Sequence, residues 1–98
     1  MIAGDFNTGQ HHLDEAGATL PCAEPMDELL ATGWIEAWRE KNPEFREYTR
    51  YSRFKNGFRL DHALLSPALL PRLSAARYSH VEREQKVSDH SILLTELT

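Results

Sequence analysis

Cysteine is nearly missing from this sequence: Cys22 stands alone among 98 residues. An internal disulfide is therefore excluded, and a reducing, cytoplasmic location is the expectation. No apolar run approaches the length a bilayer crossing needs, so no membrane segment is predicted, and the first residues lack the pattern of a signal peptide. Repeats and low-complexity tracts are absent. Lys and Arg are missing from residues 1–28, which carry six acids. The formal net charge of -4 argues against nucleic-acid binding by bulk charge. What remains is 41% hydrophobic and 27% charged, the balance of a soluble globular chain. At this length it supports one small domain, burying somewhat over ~60% of its unfolded surface.

The positive charge that is present is concentrated. Residues 39–59 hold seven basic side chains (Arg39, Lys41, Arg46, Arg50, Arg53, Lys55, Arg59) against three acids. Such a strip can contact phosphates or form a solvated face. Between them, His11-His12 and Asp14-Glu15 fall in a Gly- and Pro-bearing stretch, 8–25, that reads as a solvent loop. Adjacent histidines seldom converge on one ion. Cys22 reads as a small buried apolar side chain.

Met26, Leu29 and Leu30 at helical spacing, with Pro25 in the first turn and Gly33 beyond, predict a helix over 26–32. Trp34 and Trp38 read as core. Tyr48-Thr49 and Tyr51 predict a short strand, Asn56-Gly57 a hairpin turn, and 58–66 a continuous strand. Pro67 and Pro71 bracket a helical turn. Residues 75–81 and 91–97 predict two more strands, the second sandwiched between layers because Ile92-Leu93-Leu94 is apolar on both faces. The order of elements predicts an α+β fold with one or two helices and mostly one β-sheet.

Three polar clusters interrupt this pattern. In Gly4-Asp5-Phe6-Asn7, residues two apart in a strand share a face, so Asp5 and Asn7 can stand side by side. A carboxylate and a carboxamide there can act on a phosphate ester, the one taking a proton from water, the other donating to an oxygen that gains charge. An Asx-rich turn is the plain alternative. Asp61 lies in an apolar strand and needs a partner, which a histidine would supply. Ser88-Asp89-His90 offers that histidine or closes a turn.

Together these residues resemble the motifs of the endonuclease/exonuclease/phosphatase superfamily. Gly4-Asp5-Phe6-Asn7 is similar to its GDFN motif, Gly57-Phe58-Arg59-Leu60-Asp61-His62 to its G-x-R-[IL]-D-[YH] strand, and Ser88-Asp89-His90 to its SDH motif. Tyr48-Thr49 resembles the aromatic-threonine strand of the exonuclease III and AP endonuclease branch. The resemblance spans the chain but only the C-terminal half of the family's domain, a four-layer α/β sandwich. The early asparagine and the glutamate that is a principal metal ligand have no counterpart here. The expectation is thus that residues 1–98 form a half-domain lacking its N-terminal half, inactive or nearly so by itself. Its uncovered sheet face would meet that half or drive self-association.

The resemblance implies metal-assisted hydrolysis of a phosphoester. Asp5 would orient or deprotonate the attacking water, and Asn7 would hydrogen-bond the phosphate or that water. His90 would contact a non-bridging oxygen, with Asp61 orienting it. Asp89, with Asp5, would hold Mg²⁺ or Mn²⁺. Arg50, Arg53 and Lys55 could meet substrate phosphates, with Phe58 stacking on a base or sugar, although core packing serves Phe58 equally. DNA is the substrate this branch suggests. Lipid or inositol phosphate is the alternative within the fold, and a non-catalytic phosphate- or nucleic-acid-binding module is the alternative outside enzymes.

Overall fold

Five residues, Asp61–Leu65, build the middle strand of a computed structural model that describes residues 1–98. The chain runs β1 (Ile2–Asp5), β2 (Glu15–Ala16), α1 (Glu24–Ala31), β3 (Ile35–Glu36), α2 (Ala37–Lys41), β4 (Arg50–Tyr51), β5 (Gly57–Phe58), β6 (Asp61–Leu65), a 3-10 turn (Pro67–Arg72), β7 (Leu73–Ser79), α3 (Val81–Glu84) and β8 (Ile92–Leu97). The α+β class is as expected. The single main sheet is not: strands pair as β1-β6-β3, β2-β5-β4 and β7-β8, all antiparallel. Three α-helices, rather than one or two, accompany them.

The reason for the division lies at Arg59-Leu60. The 58–66 strand is broken there, because the Arg59 N–H donates to the Asp14 carbonyl (2.9 Å) and the Leu60 N–H to Thr49 Oγ1 (2.9 Å). Backbone groups satisfied by a loop and a side chain cannot also continue one ladder. β5 therefore joins one sheet and β6 another.

A core of Ala37, Trp38, Ala63, Leu65, Leu73, Ala76 and Tyr78 lies where α2 packs against β6 and β7, with Leu69, Leu70, Leu93 and Leu97 around it. Trp38 is fully buried, as expected, whereas Trp34 is only half-buried and lines a surface groove. α1 begins two residues earlier than its apolar spacing predicts and buries Met26. Cys22 is exposed, in a left-handed conformation (φ 54), not a buried apolar residue. β8 is not sandwiched. Leu93, Thr95 and Leu97 are half-buried, while Ile92 and Leu94 on its other face are exposed, as are Met1 and Ile2 at β1. No helix is long and apolar enough to cross a membrane.

Candidate functional site

The register of β1 against β6 places Asp5 directly opposite Asp61. Two like charges facing each other across a ladder repel, so the pair calls for a cation. His90, from the segment between α3 and β8, reaches both: its Nδ1 lies 2.8 Å from Asp61 Oδ2 and its Nε2 lies 3.7 Å from Asp5 Oδ2. Ligand atoms of Asp5, Asp61 and His90 fall within 4.8 Å of one another. They line an open cleft of ≈ 520 Å³ together with Gly4, His62, Ser88 and Ser91 and the apolar Met1, Ala3, Ile92 and Leu93.

A carboxylate that only accepts fixes the proton on His90 Nδ1 and leaves Nε2 facing the cleft. Asp5 Oδ1 accepts from the Asn7 N–H (2.9 Å), while Oδ2 takes no hydrogen bond. The carboxylate oxygens of Asp5 and Asp61 fit Mg²⁺ or Mn²⁺, hard cations that prefer oxygen and keep several waters.

The other candidate residues sit further out. Asn7 is exposed just past the end of β1, in a left-handed conformation (φ 56) that Asn tolerates. Asp89 lies outside the Asp5–Asp61–His90 cluster, is 77% exposed, and faces Arg50 Nε at 3.8 Å. Arg53 and Lys55 are exposed on the 52–56 turn, with the Arg53 guanidinium over the Phe54 ring. Phe58 is half-buried in β5, opposite Glu15 on one side and Arg50 on the other.

Behind the cleft lies an ionic network that the sequence reading placed partly in solvent. Arg59, read with the basic strip, is fully buried. Its Nε donates to Asp14 Oδ1 (2.7 Å), one terminal nitrogen lies 3.0 Å from Glu36 Oε1, and its guanidinium stacks on Trp38. Asp14, read as part of a solvent loop, is also buried and binds Arg39 (2.8 Å). A buried guanidinium needs this many carboxylates because removing it from water is expensive. Burial raises the pKa of the Glu36 carboxyl, but His62 and Arg59 beside it outweigh that and hold it at about 2. For Arg59 burial opposes the charge, yet the carboxylates raise its pKa further. The network reaches the site through Tyr78: its hydroxyl accepts from Arg59 (3.0 Å) and donates to the Asp61 carbonyl (2.6 Å). Burial pushes the Tyr78 hydroxyl pKa up, so it stays a donor. A sequence signal for this network existed: Arg59 stands between Phe58 and Leu60, and Glu36 between Ile35 and Ala37-Trp38. Each is a charge inside an apolar run.

No family model matches the chain. It is 31% identical, over an alignment of 106 positions, to the DNA repair nuclease APEX1 of Danio rerio, covering 92% of this chain and 33% of that protein. The chain thus spans about a third of that relative's length. It is a distant homologue of an exonuclease III-like member of the endonuclease/exonuclease/phosphatase superfamily, and the resemblance carried by its motifs is borne out.

Proposed function

We propose, from that homology, that the chain is the C-terminal, site-bearing part of a Mg²⁺-dependent phosphoesterase whose substrate is DNA. The observation that carries this reading is the convergence of Asp5, Asp61 and His90 from three distant segments on one cleft. The half-domain of a four-layer sandwich belongs to the same proposal, and so does a role in DNA repair.

In this reading Asp61 keeps the His90 ring oriented. His90 Nε2 then donates to a non-bridging phosphate oxygen and offsets the charge that grows there in the transition state. Asp5 accepts the proton of the attacking water or orients it. Asn7 donates from its carboxamide to the phosphate or that water. A divalent ion on Asp5, with Asp89 reaching it directly or through water, would act as Lewis acid and template. Arg50, Arg53 and Lys55 meet flanking phosphates and position the strand, and Phe58 offers an edge to a base or sugar.

The test uses the longest natural form of the protein on DNA with abasic or nicked sites, beside lipid and inositol phosphate head groups. Metal-dependent DNA cleavage that is lost in His90→Ala and Asp5→Ala, by on the order of 10²-fold or more for each, is the expected result. Cleavage of head groups alone transfers the reading to a phosphatase. Nucleic-acid binding that survives both substitutions, with no turnover in the parent, replaces it with a binding module.

A further inference from the structure

A second histidine is engaged at both ring nitrogens beside the cleft. His80, at the junction of β7 and α3, has Nδ1 2.6 Å from Ser91 Oγ, and its Nε2 meets the Glu47 carboxylate. His80 and Glu47 are about three-quarters buried, and Ser91 is 3% exposed. The three come from the loop before β4, the end of β7 and the start of β8. The Tyr78 ring stacks at 6.4 Å on the imidazole. Glu47 is the charged group paired with this ring, and Tyr78 the other titratable group against it.

We propose that His80 is a positioning residue for His90, acting through Ser91. The inference rests on the reading of His90 as a site residue. The segment 85–91 belongs to no ladder. Its front is tied where the Val87 and Ser88 N–H groups donate to the Glu82 carbonyl (2.9 and 3.1 Å). Beyond Ser88, the His90 N–H donates to Ser88 Oγ (3.1 Å), and the Ser91 N–H donates to the Thr49 carbonyl (2.7 Å) while the Ser91 hydroxyl meets His80. Asp89 and His90 lie between these ties, the His90 ring itself bonded to Asp61, and Ser91 is the next residue along the backbone and lines the same cleft. A carboxylate only accepts, so His80 Nε2 carries a proton toward Glu47; in the neutral ring Nδ1 then accepts from the Ser91 hydroxyl. Glu47 thereby fixes the tautomer of His80, and His80 fixes the rotor of Ser91. An imidazole must be held within about half an ångström for a hydrogen bond to a reacting oxygen to form, and this chain of bonds sets the backbone next to it.

The experiment is long-range ¹H–¹⁵N spectroscopy of the histidine rings in the 98-residue chain, compared with His80→Phe, Ser91→Ala and His80→Gln. The parent is expected to show His80 protonated at Nε2 with Nδ1 as acceptor, and a His90 Nδ1–H cross-peak from its bond to Asp61. In His80→Phe and Ser91→Ala the His90 cross-peak is lost or displaced while the β1 and β6 amide signals stay in place. His80→Gln, which can still donate and accept, restores part of it. An unchanged His90 signal in folded Ser91→Ala or His80→Phe overturns the proposal. Should His80→Phe fail to fold, Ser91→Ala, which removes one hydroxyl, decides the matter by the same two outcomes. Because no turnover is read, failure here is distinct from failure of the hydrolase reading, which Mn²⁺ broadening of the Asp5 and His90 signals tests in the same sample.

Discussion

A single guanidinium shows how costly the interior of this chain is to alter. Arg59 neutralises Asp14 and Glu36 where water cannot. Arg59→Ala leaves two buried carboxylates without their main counter-charge, and is expected to destabilise the fold by about 3–5 kcal/mol in urea unfolding. Arg59→Lys should recover little, because an ammonium cannot donate to Asp14 and Tyr78 while stacking on Trp38. Glu36 makes the same network visible to pH. Its folded pKa of about 2 lies below the ordinary 4.5, so its contribution is fully present above about pH 4.5 and is lost as pH falls toward 2. The shift corresponds to roughly 3 kcal/mol between those limits. Denaturation midpoints measured from pH 6 to pH 2.5 should fall steeply in the parent and less steeply in Glu36→Gln. Equal slopes would remove Glu36 from the account. Of these groups Arg59 stood in the motif, yet its burial was not readable, because a basic side chain in a basic strip looks the same whether or not a carboxylate waits 45 positions away in sequence.

Individual elements are too short to hold the site by themselves. β4 and β5 have two residues each, so their place depends on ties at their ends. Thr49 is the chief one: its Oγ1 accepts from the Leu60 N–H, its N–H donates to the Phe58 carbonyl, and its carbonyl accepts from the Ser91 N–H. Thr49→Val keeps the shape and removes the acceptor, leaving the buried Leu60 N–H unpaired. The expected loss is about 1–3 kcal/mol by thermal or denaturant unfolding, with displacement of the neighbouring Asp61 resonances. Gly57 in β5 meets the Tyr48 ring so closely that an added Cβ would lie 2.9 Å from it. Gly57→Ala therefore forces the hairpin and the ring apart, at a cost of about 1–3 kcal/mol in the same assay. The hairpin and the threonine were legible from local chemistry. The break at Arg59-Leu60 was not, since it arises from partners at Asp14 and Thr49 rather than from any glycine or proline.

For the molecule as a whole, apolar side chains are left exposed at β1 and β8 (Met1, Ile2, Ile92 and Leu94), and Met1 and Ile92 line the cleft. Uncovered edge strands of this kind favour association through their edges and apolar faces. The 98-residue chain is expected to self-associate with concentration in light scattering, and Ile2→Lys with Leu94→Lys to reduce it. A monomer at all concentrations would show that these strands need no cover. The purified chain is also expected to hydrolyse DNA at or near background with Mg²⁺, since the cluster offers two carboxylates and an imidazole. Robust Mg²⁺-dependent cleavage by this chain alone would show the site to be sufficient as it stands.

The amino-acid sequence by itself singled out the candidate groups of the site. A carboxylate in an apolar strand, or an Asp-x-Asn at a strand end, is unusual enough to be seen without neighbours, because unpaired polar groups are costly wherever the backbone runs. It also determined the α+β class, through local periodicity. Only the tertiary structure decided which charges are buried, how the strands divide into three sheets, and that Glu47, His80 and Ser91 meet beside His90. Those are properties of pairs far apart in the chain, and burial depends on who faces whom, which no single stretch of residues encodes.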